Sequence, residues 1–147
     1  MVQNPPKDMP RIIPYLHYNH VEKAVEWLCS VFGFKVSFTL PDKKGGLMHA
    51  EITYADGVVM LGPANREYNS LSPLDLKGVN QGLYVYVEDV DRHHESAKAK
   101  GAVIVMPPED MFWGDRVYAA NDLEGHMWTF GQHTKDIPPE QMRPPEY

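Results

Sequence analysis

Eight side chains in this sequence have types and spacings that suit a small-molecule site. His49 and Glu51 are two residues apart in a strand-like stretch, so both point to the same face of a sheet. An imidazole beside a carboxylate can act as a general base or ligate a divalent metal. Further along the chain, Trp113 can stack on a planar ligand, and Arg116 can bind a carboxylate or phosphate in bidentate fashion. The predicted ligand-binding set is Tyr15, His17, His49, Glu51, Trp113, Arg116, Tyr118 and Thr129, with Glu51 and His49 as catalytic candidates.

Each of these residues also has a purely structural interpretation. Glu51 can form a buried ion pair with Arg116, His49 can be a hydrogen-bonded core histidine, and Trp113 can be a packing residue. His93 and His94 are expected to be solvated on a helix. The residue types alone leave these alternatives open.

The elements that must position these side chains follow from hydrophobic periodicity and turn residues. A first strand is predicted at Arg11 to His17, followed by a helix with Asn19 as N-cap and Glu22 completing a capping box. Gly33 should end that helix in the left-handed conformation. Strands are predicted at 34–40, 47–54, 58–62, 82–87, 102–106, 115–121 and 126–131, with a second helix at 90–100.

The same order of elements occurs twice, which predicts an α+β fold of two tandem βαβββ modules. The modules span residues 11–62 and 80–132, joined by a polar linker at 63–79. Residues 1–10 and 133–147 read as proline-rich tails, because proline lacks the donor that sheets and helices need. The register between the halves differs by only one residue, which favours an internal duplication.

Composition restricts the partners. The 147 residues carry a formal net charge of −6 without a run of Lys or Arg, which argues against nucleic acid or an anionic membrane surface. No apolar stretch approaches the roughly 20 residues of a membrane span. Cys29 is the single cysteine, and the amino terminus lacks a signal-peptide pattern. These features predict a cytoplasmic protein with a small-molecule ligand.

Several segments resemble the vicinal-oxygen-chelate superfamily, in its glyoxalase and bleomycin-resistance-protein branch. The similar segments are Ile13-Pro14-Tyr15-Leu16, residues 24–28 and 32–34, His49-Ala50-Glu51, residues 84–91, Trp113-Gly114-Asp115-Arg116 and residues 122–130. This resemblance implies that the two modules form a curved mixed sheet enclosing a cup, and that the chain is a homodimer.

The resemblance also implies four metal-ligand positions, and this chain departs from them. They fall on Ile13, on Glu51, near Gly82 or Leu83, and on Thr129, so that only Glu51 carries a good ligand. A relocated site for Ni, Zn, Mn or Fe that uses His17, His49 and Glu51 is the alternative. His17 lies about 13 Å along the strand from the first ligand position, which argues against it. We therefore predict no metal site and no cofactor.

Strand alternation predicts which side chains face the cup. The inward set is expected to be Tyr15, His17, His49, Glu51, Val59, Leu61, Met127 and Thr129, whereas Met60, Trp128 and Phe130 should pack against the helices. The predicted function is a metal-independent small-molecule-binding protein that sequesters an antibiotic or aromatic metabolite. The alternative is a lyase, isomerase or dioxygenase-like enzyme that uses Glu51 or His49 as base or metal ligand.

Overall fold

A computed structural model describes residues 1–146 of the chain. The residues group into two compact units, with the boundary between Gly78 and Val79. Within the described range, no helix is both long and apolar enough to cross a membrane.

The first unit contains one four-stranded mixed sheet and one α-helix. Its elements are β1 (Tyr15–Tyr18), α1 (Val21–Trp27), β2 (Lys35–Pro41), β3 (Leu47–Tyr54) and β4 (Gly57–Pro63). The strands lie in the order β1-β4-β3-β2, with β1 parallel to β4 and the other pairs antiparallel. A π-helical segment, Leu28–Phe32, continues α1, and Gly33 ends it at φ 85° as predicted.

The second unit repeats this arrangement. Its elements are β5 (Gly82–Tyr86), α2 (Val90–Ala99), β6 (Val103–Asp110), β7 (Asp115–Asn121) and β8 (Met127–His133). The strands lie in the order β5-β8-β7-β6, again with one parallel pair, β5 and β8. The predicted α+β class with two βαβββ modules is therefore confirmed.

Among residues 1–146, three short 3-10 helices lie outside the two sheets. Arg66–Tyr68 and Pro73–Asp75 fall in the polar segment between the sheets, and Pro139–Gln141 falls in the carboxy-terminal tail. Asn65 and Ser70 form an isolated antiparallel bridge around the first of them. The predicted linker thus has local structure of its own.

Two details of the first module differ from prediction. β1 begins at Tyr15 rather than Arg11, because Pro14 lacks the N–H of a strand residue and contributes only its carbonyl to Met60. The helix N-cap is His20, whose side chain makes no capping bond, and the predicted capping box at Asn19 is wrong. The Asn19 amide instead donates to Asp75 at 3.1 Å.

Each sheet has one face covered by its helix. In the first unit, α1 packs on β3 and β4, and the covered face includes Leu16, Ala50 and Ile52. Val59 pairs with Ile52, and Leu61 pairs with Ala50, so both belong to this covered face. Their predicted inward position is wrong, and Met60 occupies the opposite, uncovered face instead. The prediction failed because the register between β3 and β4, which begins with Tyr54 opposite Gly57 after the turn, decides which residues of β4 face the helix.

In the second unit, α2 packs on β6, β7 and β8. Trp128 and Phe130 are fully buried on the covered face, as the alternation predicted. Met127 and Thr129 alternate with them and belong to the other face. We call the uncovered faces of the two sheets the first and second open faces.

Candidate functional site

A row of rings crosses the first open face. The Tyr15 ring lies 5.2 Å from that of His17 and 5.7 Å from that of His49, between centroids. Phe38, from the edge strand β2, lies 6.2 Å from His49. We call His17, Tyr15, His49 and Phe38 the first ring surface. Its two non-imidazole rings are 41% and 47% exposed, so their faces remain accessible to a ligand.

A chain of hydrogen bonds fixes this surface. Nε2 of His49 lies 3.3 Å from Oε1 of Glu51, and Nδ1 lies 3.1 Å from the Tyr15 hydroxyl. In the tautomer that satisfies both contacts, Nε2 donates to the Glu51 carboxylate and Nδ1 accepts from the Tyr15 hydroxyl. The arrangement orients the His49 ring, as carboxylates do for catalytic and metal-binding histidines.

Packing also fixes Tyr15. A Cβ built on Gly62 would lie 2.6 Å from the Tyr15 hydroxyl oxygen, so the phenol ring covers the backbone of the neighbouring strand where a side chain is missing. A glycine in a strand interior is typical of such close approaches. Gly62 therefore provides the space that Tyr15 occupies.

Three apolar residues of the first open face were not in the predicted site. Phe38 pairs with Glu51, Leu40 pairs with His49, and Met60 pairs with both Glu51 and Tyr15. The register shift between Val36 and Phe38 sets the parity of β2, and the sequence carries no plain signal for such a bulge. Together these side chains give the face the mixed apolar and polar character of a small-molecule site.

The second open face is organised around Asp115, which is 3% exposed. Its Oδ2 accepts hydrogen bonds from Tyr84 at 2.7 Å and Tyr86 at 2.9 Å. Its Oδ1 lies 2.8 Å from Nδ1 of His133, and Trp113 also hydrogen-bonds the carboxylate. Sequence reasoning missed this cluster, because its members come from three strands and a loop.

Burial and hydrogen bonds shift the pKa values of the groups in this cluster. Burial alone would raise the pKa of Asp115, but hydrogen bonds from Tyr84, His133, Tyr86 and Trp113 outweigh it and hold that pKa below its usual range. Burial and the bond to Asp115 raise the pKa of Tyr84, while the bond to Asp115, followed by burial, raises that of Tyr86. The carboxylate is ionised and both phenols are neutral at physiological pH.

His133 lies between two carboxylates. Its Nε2 is 2.8 Å from Oδ1 of Asp136, and its Nδ1 faces Asp115 at the same distance. Since both acceptors are carboxylates, both ring nitrogens must carry hydrogen. The bond to Asp136, followed by that to Asp115, raises the pKa of His133. The imidazolium therefore ties the start of the carboxy-terminal tail to β7.

Two predicted ligand-binding residues lie on the covered side of the second sheet. Arg116 donates through Nε and Nη2 to Asp91 and through Nη1 to Asp110, with distances of 3.0–3.2 Å. Its guanidinium is engaged within its own unit, so the predicted bidentate binding of an anionic ligand is not supported. Within the first unit, Glu51 hydrogen-bonds His49.

Tyr118 is fully buried. Its hydroxyl lies 2.6 Å from Nδ1 of His93, and its ring stacks on Phe130 at 5.3 Å. The prediction that Tyr118 contacts ligand is wrong, and so is the expectation of a solvated His93. The register of β7 with β8, which places Tyr118 opposite Phe130, accounts for both outcomes.

The remaining predicted residues keep a position from which a ligand is reachable. Thr129 pairs with Tyr84 and Ala119 on the second open face. Trp113 is half-buried and makes an edge contact with Phe112 at 5.0 Å between centroids. Hydrogen bonding by Trp113 lowers the pKa of both Asp115 and Tyr84, which supports the structural interpretation of this residue.

The side chains at the family's metal-ligand positions do not fit a chelated metal. Ile13 precedes β1 and has no ligating atom, Leu83 and Gly82 have none either, and Thr129 is a weak ligand. Glu51 alone has the right chemistry. Across residues 1–146, no group of three or more His, Cys, Asp or Glu side chains is placed to hold a metal ion.

The fold and these faces define a paired βαβββ protein of the vicinal-oxygen-chelate type. A sequence model of the Glyoxalase/Bleomycin resistance protein/Dioxygenase superfamily matches residues 13–130, and the chain belongs to this superfamily.

Known relatives agree with this assignment. The chain is 35% identical to TioX from a Micromonospora species, with a TM-score of 0.69, covering 85% of this chain and 99% of that one. TnmS3, an antibiotic binding protein from a Streptomyces species, is 19% identical, with a TM-score of 0.66 and coverage of 86% and 98%. An uncharacterised Mycobacterium tuberculosis protein is 28% identical over 137 residues, 91% of this chain and 81% of its own length.

Proposed function

We propose that this chain is a metal-independent, cytoplasmic small-molecule-binding protein whose ligand carries a planar aromatic ring, and that it acts as a homodimer. The observation that carries the proposal is the first ring surface, four rings in contact across one uncovered sheet face. Tyr15 and His49 are held in place by hydrogen bonds, so these two rings lose little conformational entropy when a ligand stacks on them. This pre-organisation favours binding.

The charge on the first open face restricts the class of ligand that can bind there. Glu51 brings a carboxylate to the first open face, which disfavours an anionic ligand group there. The formal net charge of −6 also disfavours an anionic ligand. We therefore favour a neutral or cationic ring system. TnmS3 shares this fold and is an antibiotic binding protein, which supports including antibiotics among the ligands.

The test uses naphthol as a neutral planar probe. Tyr15→Leu should weaken its binding roughly fivefold to tenfold, the loss expected for one aromatic contact of about 1–1.5 kcal/mol. Tyr68→Leu is the matched control, because Tyr68 is 77% exposed and lies on a 3-10 helix outside the sheets. Binding that does not saturate, or equal affinities for Tyr15→Leu and the wild type, would contradict the proposal.

The metal-independence is tested separately. Protein purified without a His tag should contain less than a stoichiometric amount of Ni, Zn, Mn or Fe by elemental analysis. One equivalent of any of them, retained after dialysis and lost in Glu51→Gln, would show a relocated metal site at this face.

A second candidate function is supported by the Tyr15–His49–Glu51 hydrogen-bond chain. A histidine oriented by a carboxylate and facing a hydroxyl is an arrangement suited to proton transfer. We therefore retain a metal-free lyase or isomerase that uses His49 or Glu51 as base. In that case Glu51→Gln would abolish turnover without changing the unfolding temperature, whereas a structural role of Glu51 would lower the unfolding temperature.

A further inference from the structure

The second unit repeats the relationship between Tyr15 and Gly62. A Cβ built on Gly131 would lie 2.6 Å from the Tyr84 hydroxyl oxygen, the same separation as in the first unit. Tyr84 follows Tyr15 by 69 residues, and Gly131 follows Gly62 by 69 residues. Each sheet therefore presents a phenol ring lying over a glycine of the neighbouring parallel strand.

A second ring lies beside Tyr84, as His17 lies beside Tyr15. The centroids of Tyr84 and Tyr86 are 5.3 Å apart, with the ring planes at 60°. Both hydroxyls donate to Asp115, so their polar ends are already satisfied. The rings nevertheless remain 45% and 59% exposed. What they offer to a partner is aromatic area in a fixed orientation.

Resting on the proposed function above, we propose that Tyr84 and Tyr86 form a second ring surface, which by itself binds a planar aromatic ring on the second open face. Asp115 is the positioning residue of this surface, since both hydroxyls donate to its Oδ2. The occupant is a planar ring rather than a hydrogen-bonding group, because the hydroxyls that would recognise such a group are engaged.

The ionisation of the cluster supports this assignment. With Asp115 ionised and both phenols neutral, the hydroxyls keep donating to the carboxylate across the physiological pH range. The two rings therefore hold their orientation without a ligand, and little conformational freedom remains to be lost on binding.

The experiment compares two substitutions at the more exposed ring. Tyr86→Phe keeps the ring and loses the bond to Asp115, whereas Tyr86→Leu loses both, so their difference isolates the ring. With naphthol as probe, Tyr86→Leu should raise Kd roughly threefold to tenfold relative to Tyr86→Phe, the loss of one aromatic contact. Tyr86→Phe should bind with a Kd between those of the wild type and Tyr86→Leu, because it keeps the ring but loses the hydrogen bond that fixes it.

The outcomes separate this proposal from the one on which it rests. If Tyr15→Leu weakens binding and Tyr86→Leu does not, the first ring surface stands and the second is excluded. If neither variant weakens binding, the proposed function itself fails. Equal losses in Tyr86→Phe and Tyr86→Leu would show that the hydroxyl matters rather than the ring. A change in sedimentation mass of Tyr86→Leu at unchanged affinity would assign the surface to a second copy of the chain.

Discussion

The Tyr84 hydroxyl donates a 2.7 Å hydrogen bond to Oδ2 of Asp115, a carboxylate that is only 3% exposed. Asp115 also holds Tyr86 and His133, so one buried charge joins β5, β7 and β8. Hydrogen bonds to a charged acceptor are stronger than those between neutral groups. The organisation of the second open face therefore depends on this carboxylate.

Replacing Asp115 with Asn should destabilise the protein. The amide keeps the size of the side chain but removes the charge and places an N–H group among donors. We expect a loss of roughly 1.5–3 kcal/mol in the free energy of unfolding, the range for hydrogen bonds to a charged group. Chemical denaturation at neutral pH measures it. Asp110→Asn is the control, since an ion pair as exposed as that of Asp110 with Arg116 contributes little to stability.

The stability should also depend on pH through His133. Its pKa is raised by Asp136 and then Asp115, so its contribution is complete below the unfolded value of about 6.5 and is lost as pH rises through the folded pKa. The unfolding temperature of the wild type should fall over that interval. His133→Gln should flatten the profile there. An unchanged slope in the variant would assign the pH dependence to another group.

Gly62→Ala should disturb the first ring surface selectively. The new methyl group would meet the Tyr15 ring at distances down to 2.6 Å, so the phenol must leave the position in which it contacts His49. We expect naphthol binding to weaken about as much as in Tyr15→Leu. Gly78→Ala is the control, because a Cβ there meets nothing within 4 Å. If Gly62→Ala bound naphthol with wild-type affinity, binding would not require the Tyr15 ring to lie over Gly62.

Gly114 tests how the carboxy-terminal tail is attached. Its carbonyl accepts from the backbone N–H of Thr134 and Lys135, its φ is +104°, and a Cβ would overlap the Lys135 carbonyl oxygen. Gly114→Ala should therefore destabilise more than Gly45→Ala, which has a φ of +88° but open space around it. Backbone strain alone costs roughly 1–2 kcal/mol in each. The difference between the unfolding free energies of Gly114→Ala and Gly45→Ala measures the cost of the overlap with Lys135. Equal losses in the two variants would show that the overlap costs nothing.

The sequence predicted the bounds of the helices and strands better than the side of the sheet on which each side chain lies. The observed bounds of β3 and β7 match the predicted 47–54 and 115–121, because alternation and turn residues are local signals. The placement of Tyr15, His49 and Glu51 on one face also followed from local alternation. These three residues carry most of the first site.

What the sequence could not provide depends on pairing across strands. Arg116 looked like a ligand-binding cation, yet Asp91 on α2 engages it, which no local pattern indicates. Phe38 joined the site only because of the bulge in β2, and Val59 left it because of the register of β4. The Asp115 cluster was missed for the same reason.

Tyr84 follows Tyr15 by the same 69 residues by which Gly131 follows Gly62. Insertions and deletions between the tyrosine and the glycine of each half must therefore cancel. From Tyr15 to Met60 and from Tyr84 to Thr129 the chain advances equally, by 45 residues. Glu51 nevertheless precedes its partner Met60 by nine residues, whereas Ala119 precedes Thr129 by ten. A one-residue insertion in the β7–β8 hairpin thus offsets a one-residue deletion earlier in that half. A hybrid chain in which the segment from Tyr15 to Gly62 is replaced by that from Tyr84 to Gly131 would therefore keep the tyrosine and the glycine at the same separation.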